Sequence, residues 1–408
     1  MDPIKNPYSP GAGSPPPELA GRDPLIEHFG VVAERLVGGS PGKSLIPNGL
    51  RGVGKTVLLN VFERRARDAG AVVQHLEADQ ADVGPAALAR RLRAATLELA
   101  PGGAVGHRVR DALRVVASVR LTFGISGVPV SIGLDIEPAI GKGDSGNLRE
   151  DLTDLFVAVG EAAAEHKRGV VLCIDEMQAL DDEVFRALIV GLHRCSQLKL
   201  PVIAAGAGLP DVKGKAGDVK TYAERLFLFP DIGPLDEGPA MQALVAPAQR
   251  EGVTFEPEAV SRVLKDCRGY PYFLQEWAYE SWNAAEGKVI DASAVERATP
   301  MVHKTLDSSF FGVRMGRLTP QERKYLRSMA EMGPGPYRSG EVAERMGMSV
   351  ERAGPLRQRL ITKGMVWSGE FGEIAFSVPL FDDYLRRNVP APVFPTRTLR
   401  GRPKRPGE

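Results

Sequence analysis

Residues Gly49-Leu50-Arg51-Gly52-Val53-Gly54-Lys55-Thr56 fit the spacing G-x-x-x-x-G-K-[ST], which wraps backbone amides round a chain of phosphates. Glycines allow the sharp bend, and a side chain in their place would hold the amides away from the phosphate oxygens. Lys55 then sets its ammonium against the β- and γ-phosphates, and Thr56 offers its hydroxyl to Mg2+. Gly49, Arg51, Gly52, Val53, Gly54 and Val57 complete the stretch expected to touch the nucleotide. A second set is Val170-Val171-Leu172-Cys173-Ile174-Asp175-Glu176, an apolar run that ends in two acids. Asp175 is the expected Mg2+ ligand, through water, and Glu176 the base that polarises the water attacking the γ-phosphate. Two solvated acids capping a strand would be the plainer reading of that run alone. Beside a phosphate loop, hydrolysis of a nucleoside triphosphate is the stronger one.

These groups need a scaffold that brings strand ends together. Ser44 to Asn48 reads as a short strand feeding the loop, with Pro47 inside it where a ladder donor is lost. Val57, Leu58, Val61 and Phe62 recur at helical spacing after the loop, so a helix dipole would add to the phosphate site. Val72 to Glu77, Pro201 to Gly206 and Leu226 to Pro230 read as further strands. Helical patterns lie between them: residues 85–99, 105–119, 147–167 and 181–198. Strands alternating with helices predict a parallel sheet with helices on both faces, and the apolar run before Asp175 predicts a strand buried on both sides. Ligands of such sheets sit at the carboxyl ends of the strands.

The remaining chain divides by composition. Residues 1–20 are Pro/Gly-rich and predict an extended or disordered start. Residues 21–233 form the nucleotide-binding α/β domain. Within it, 121–146 is a possible hairpin, either an inserted contact element or an edge of the sheet. Residues 234–317 predict a helical lid broken at Gly252, Gly269-Tyr270-Pro271 and Gly287. Residues 318–388 predict three helices and two paired strands, a winged helix-turn-helix. Residues 389–408 predict a disordered basic tail.

Composition bounds the class. The 408 residues are 43% apolar and 25% charged, with a formal net charge of +1, which is ordinary for a globular protein of two or three domains. Any nucleic-acid surface must therefore be local. Cys173, Cys195 and Cys267 are scattered and odd in number, which suits a reducing compartment rather than a disulfide framework. No 18-residue apolar run occurs, so a cytoplasmic protein with no membrane contact is expected.

The loop, the Asp-Glu strand, a helical lid and a winged helix, in that order, resemble the AAA+ superfamily of ATPases. More narrowly they resemble the ATP-binding proteins related to origin-recognition ATPases and to STAND signalling ATPases. The resemblance implies ATP as the nucleotide and Mg2+ as its metal. Gly21-Arg22-Asp23 matches the family's Gly-Arg-Asp/Glu motif and implies that Arg22 lies beside the adenine. Asp175-Glu176-Met177-Gln178 matches the Asp-Glu-x-Gln form of the Walker B motif. Gly269-Tyr270-Pro271 matches the Gly-x-Pro contact between lid and nucleotide and so implicates Pro271. Arg225, just before the last strand, stands where the family places an arginine finger completing a neighbour's site in a homo-oligomer; a plain surface arginine is the competing reading. Sensor one falls in Ala205-Gly206-Ala207-Gly208, which has no polar side chain. Sensor two falls on Tyr272, with Arg268 nearby. Missing sensors imply slower hydrolysis more than weaker binding.

The winged helix admits two partners. Its third helix carries Arg352, Arg357, Arg359 and Lys363, with Gln358 free for base edges. Yet residues 318–388 hold eleven Arg/Lys against nine Asp/Glu, and Gly354-Pro355 interrupts that helix. Duplex DNA, helped by the basic tail, is one expectation. The other is a STAND-like switch that binds ATP, hydrolyses it slowly and contacts a protein.

Overall fold

A computed structural model describes residues 1–391 except 12, 79–83, 100–105, 123–136, 220–221, 334 and 370–371. The chain separates into two compact units, Met1–Thr299 and Pro300–Glu408, a division earlier than the expected 318.

In the first unit, α1 (Asp23–Val37) precedes β1 (Ser44–Leu45), α2 (Lys55–Asp68) and β2 (Val72–Glu77). Helices α3 (Pro85–Glu98), α4 (His107–Thr122) and α5 (Leu148–Glu165) lead to β3 (Val170–Asp175). Then come α6 (Asp182–Gln197), β4 (Val202–Gly206), α7 (Val212–Val219), α8 (Ala223–Leu226) and β5 (Phe227–Leu228). The five strands form one parallel sheet in the order β2-β3-β4-β1-β5. Alternation along the strands divides the core. Val170, Leu172 and Ile174 of β3 pack with α3 to α6 on one face. Val171 and Cys173 pack with α1 and α2 on the other, where Phe29 and Phe62 stack at 4.2 Å. A strand with both faces buried has no polar position to offer until it ends, so the acids appear at its tip.

Pro47 fits because of where its missing donor points. Ile46 and Asn48 donate their N–H groups to Leu228 and Pro230 on the β5 side. The lost N–H belongs to the β4 side, and the Pro47 carbonyl still accepts from Gly208 N at 3.1 Å. Regular pairing stops at Leu45 and resumes as a bridge from Asn48 to Gly208 and Asp231.

Three expectations are corrected. Leu121 and Thr122 end α4 rather than open a hairpin; the rest of that hairpin, 123–136, lies outside the described residues. The expected helical lid, residues 234–317, also holds strands. Between α9 (Glu237–Arg250) and α10 (Pro257–Cys267) lies β6 (Thr254–Phe255), which pairs in parallel with β7 (Val289–Ile290). Helix α11 (Pro271–Ala284) precedes β7 and α12 (Ala292–Thr305) follows it. The start of the chain is extended but anchored. Trp282 Nε1 donates to the Asp2 carbonyl at 3.0 Å, and Asn6 Nδ2 donates to the Tyr279 carbonyl at 3.0 Å and to Asn283 Oδ1 at 3.1 Å. Tyr8 is 3% exposed, and its hydroxyl donates to the Leu244 carbonyl. Few apolar residues were needed: one buried ring and several polar clasps hold a segment whose composition alone suggests disorder.

In the second unit, after a π-helical turn at Leu306–Phe311, come α13 (Gly312–Gly316), α14 (Pro320–Ala330), β8 (Tyr337–Arg338), α15 (Ser339–Arg345) and α16 (Val350–Thr362). β9 (Val366–Ser368), β10 (Glu373–Phe376) and α17 (Phe381–Asn388) complete it. The strands form an antiparallel sheet in the order β8-β10-β9. Helix α16 runs unbroken through Pro355. The basic tail from 392 lies outside the described residues. Cys173, Cys195 and Cys267 are buried free thiols. No helix among the described residues is long and apolar enough to cross a membrane.

Tyr8→Ala lowers unfolding free energy by about 3 kcal/mol and Tyr8→Phe by about 1 kcal/mol, read from urea midpoints. An N-terminus loose in solution would leave both midpoints at the wild-type value.

Candidate nucleotide site

The loop from Gly49 to Thr56 leaves β1 and turns into α2, whose first residue is Lys55. Gly54 caps that helix at φ 90° with no side-chain cap, a left-handed conformation that glycine adopts without strain. The first-turn amides therefore face an open cradle at the positive end of the helix dipole. Gly49 is required for a different reason. A Cβ there would stand 2.1 Å from the Ile232 carbonyl oxygen.

Four of the loop's carbonyls are met by a donor. Lys55 Nζ donates to Gly49 O and Leu50 O, both at 2.9 Å. Tyr272 N, in the first turn of α11, donates to Gly52 O at 3.1 Å. Arg22 Nη2 reaches Val53 O at 3.4 Å and Gly233 O at 2.7 Å. Pro271 is the first residue of α11, so the Gly-x-Pro turn sits directly on the loop. Val57 follows Thr56 in the first turn of α2. Lys55 is only 7% exposed. Burial lowers its pKa to about 8, against the raising influence of Glu176 and Asp175.

The acids meet the loop at the carboxyl end of β3. Thr56 Oγ1 donates to Asp175 Oδ2 at 2.7 Å, and Glu176 N donates to Asp175 Oδ1 at 2.8 Å. Burial pushes the Asp175 pKa up, and those two hydrogen bonds oppose the rise. Glu176 stands at φ 51°, ψ 42°, a left-handed conformation costing a non-glycine residue about 1–2 kcal/mol. That turn swings its carboxylate back toward the loop, where Oε1 accepts from Arg51 Nη1 at 3.0 Å.

The last residue of the Asp-Glu-x-Gln motif braces Glu176. Gln178 Oε1 accepts from Leu209 N at 2.9 Å, and its Nε2 donates to Glu176 Oε2. The small residues at the end of β4 make room for this: a Cβ on Gly208 would lie 3.2 Å from Gln178 Oε1, and one on Gly206 2.1 Å from Met177 Sδ. The apolar Ala-Gly-Ala-Gly run that leaves sensor one empty was the available signal. Asp211, which no sequence pattern marks, lies close to Glu176. Its Oδ1 is buried without a partner, and burial, with Glu176 nearby, raises its pKa.

Lys55, Thr56, Asp175, Glu176, Arg51, Gly52, Val53, Arg22 and the turn at Pro271 are thus brought together. Arg225 is not. It lies exposed on α8, with no hydrogen bond or ion pair linking it to these residues.

Residues 18–204 match the family described as AAA ATPase domain, and residues 308–385 match the family described as Domain of unknown function (DUF8462). No curated protein matches the sequence. Among solved structures, the Walker-type ATPase PABY2304 of Pyrococcus abyssi is 14% identical with a TM-score of 0.54, over 90% of this chain and 96% of that one. The Aeropyrum pernix ORC1 protein, solved in complex with DNA, is 17% identical with a TM-score of 0.45, over 91% and 93%. A K64R mutant of Thermotoga maritima RuvB is 14% identical with a TM-score of 0.45, over 91% and 96%. Residues 18–204 thus match an AAA ATPase domain, and the phosphate loop and the Asp-Glu end of β3 both lie within that stretch.

The buried ammonium gives ATP binding a pH dependence. Below about 8 Lys55 is charged in the empty site, whereas above it binding must recharge the lysine. ATP is already fully ionised there, so affinity falls by up to about tenfold per pH unit above 8. Calorimetric titrations between pH 7 and 9.5 measure this, and Lys55→Ala weakens binding on the order of a hundredfold. A flat profile with an unimpaired variant would remove Lys55 from the phosphate site.

Proposed function

We propose that this ATPase binds Mg2+-ATP on the loop, hydrolyses it slowly with Glu176 as base, and uses nucleotide state to control its conformation or assembly. The observation that carries this reading is the 2.7 Å contact between Thr56 Oγ1 and Asp175 Oδ2, beside the buried Lys55. A hydroxyl and a carboxylate form an all-oxygen pair suited to a hard cation. Thr56 would hold Mg2+ directly and Asp175 through water, and the ion would supply charge neutralisation on the β- and γ-oxygens. The cradle of open first-turn amides at Gly54 fits the phosphates. Arg22 and Pro271 flank the loop where a base would lie.

In the chemical step, the water oxygen attacks the γ-phosphorus and the bond to the ADP oxygen breaks. The water proton passes to Glu176. Slow turnover follows from the apolar end of β4 and from Tyr272 at sensor two, whose hydroxyl donates to Glu276 Oε1 at 3.1 Å. With neither sensor supplying a charge, the transition state lacks two donors that binding does not need.

For the second unit we propose a winged helix, on the support of α14, α15 and α16 followed by the β9–β10 pair. Duplex DNA is its proposed partner, held by backbone contacts from exposed Arg338, Arg345 and Arg352 and from the basic tail. One observation favours the alternative, a protein-binding switch of the STAND kind. Lys363 Nζ and Arg359 Nε are bound to buried Glu322 at 2.7 and 3.3 Å, and Arg357 donates to Ser368 Oγ. Burial alone would raise the Glu322 pKa, but Lys363 and Thr319 outweigh it and hold it down at about 2. Those cations serve the unit's own core, leaving few for base edges. A cytoplasmic location suits three buried thiols.

Steady-state ATP hydrolysis by wild type and Glu176→Gln, with and without duplex DNA, tests the reading. The expected result is slow turnover, reduced at least about a hundredfold in the variant and stimulated by DNA at low salt. Equal turnover in the variant would remove Glu176 as base; DNA-insensitive turnover would select the protein-binding alternative. If subunits share sites, Arg225→Ala lowers turnover only in the assembled state, and mixing it with Lys55→Ala subunits restores activity. An oligomer indifferent to Arg225→Ala would sink the finger.

A further inference from the structure

The Glu176 carboxylate is the base of the reaction proposed above, yet both of its oxygens are engaged. Oε1 is paired with Arg51 Nη1 at 3.0 Å, and Oε2 accepts from Gln178 Nε2. A carboxylate held on both sides by donors is a poor acceptor for a water proton. The two clasps differ in kind. Gln178 is fixed at its other end, where its Oε1 takes the Leu209 amide at 2.9 Å, and so cannot leave without losing that bond as well. Among the described residues, Arg51 has no such tether to the strands. It belongs to the phosphate loop itself, three residues before Gly54, with its side chain 24% exposed.

We propose that Arg51 reads the terminal phosphate of ATP: in its absence the guanidinium blocks Glu176, and in its presence it transfers to the phosphate and frees one carboxylate oxygen for water. This deepens the reading of the loop as an ATP site and rests on it. The physical basis is competition for one cation. A planar guanidinium pairs with a carboxylate or a phosphate through the same fork. The terminal phosphate brings more negative charge than the single carboxylate it displaces. Gln178 keeps Oε2 throughout, so the freed oxygen stays aimed. No polar side chain at the end of β4 competes for the phosphate, which leaves the loop arginine to do the sensing. ADP lacks the group being read, so it leaves the Arg51–Glu176 pair closed.

The competition predicts opposite effects of two substitutions on one ratio, the affinity for ATPγS over that for ADP. Arg51→Ala removes the reader and lowers the ratio about tenfold. Glu176→Gln removes the competing charge, leaves Arg51 free for the phosphate, and raises the ratio several-fold. The double variant Arg51→Ala/Glu176→Gln returns to the Arg51→Ala value, because the carboxylate acts only through the arginine. Arg51→Lys, which keeps charge but not the fork, falls between wild type and Arg51→Ala. All are measured by calorimetry with Mg2+, ATPγS and ADP, with urea midpoints confirming that each variant folds. Equal weakening toward ATPγS and ADP in Arg51→Ala would make Arg51 a loop-shaping residue and overturn the proposal, as would a Glu176→Gln ratio at or below wild type. Should Arg51→Ala fail to fold, the Glu176→Gln and Arg51→Lys shifts decide alone. Wild-type protein that binds neither nucleotide would instead defeat the ATP-site reading itself, a distinct result.

Discussion

A positive charge held almost out of water is the constraint on which the catalytic end of this molecule turns. The Lys55 ammonium is 7% exposed and would be prohibitively costly to bury alone. Two loop carbonyls, at 2.9 Å each, and two nearby carboxylates make it tolerable. Those carboxylates must sit at a strand end, because β3 is buried on both faces for its whole length. In the sheet β4 lies between β3 and β1, so the acids and the loop leave strand ends separated by one strand.

Much of this was legible in the sequence because it rests on local rules. Glycine spacing marks the loop, an unbroken apolar run marks β3, and Asp175 and Glu176 mark its carboxyl end. Helices α14 to α16 were visible through helical periodicity, and β9 and β10 through the apolar and β-branched runs that follow them. What escaped depends on partners distant in sequence. Nothing local says that Tyr8 reaches Leu244, or that Thr254 and Phe255 pair with Val289 and Ile290. Two-residue strands such as β6, β7 and β8 carry too little pattern to read. Gln178 escaped because its role is defined by Leu209 N and by the glycines opposite it, which only the fold brings near.

Charge is the property least readable from composition. Eleven basic residues against nine acidic ones in 318–388 suggested a modestly cationic surface. The structure divides those cations by task. Lys363 and Arg359 stabilise a carboxylate with no exposure, Arg327 pairs with Glu331, and Arg386 pairs with Asp382 and Asp383. A cation already bound within its own unit adds little to the field outside it. Counting residues therefore overstates what a partner would meet.

The three thiols carry a practical corollary. Each is sealed in the core, and burial raises the pKa of Cys195 and of Cys267 to about 12 and that of Cys173 further still. A thiolate is the form that reacts readily with maleimides, so the native cysteines of the folded protein are silent toward them. One cysteine introduced on α11 would then be the sole reactive thiol, and a dye attached there would report on the contact between the Gly-x-Pro turn and the phosphate loop, with no native residue needing removal.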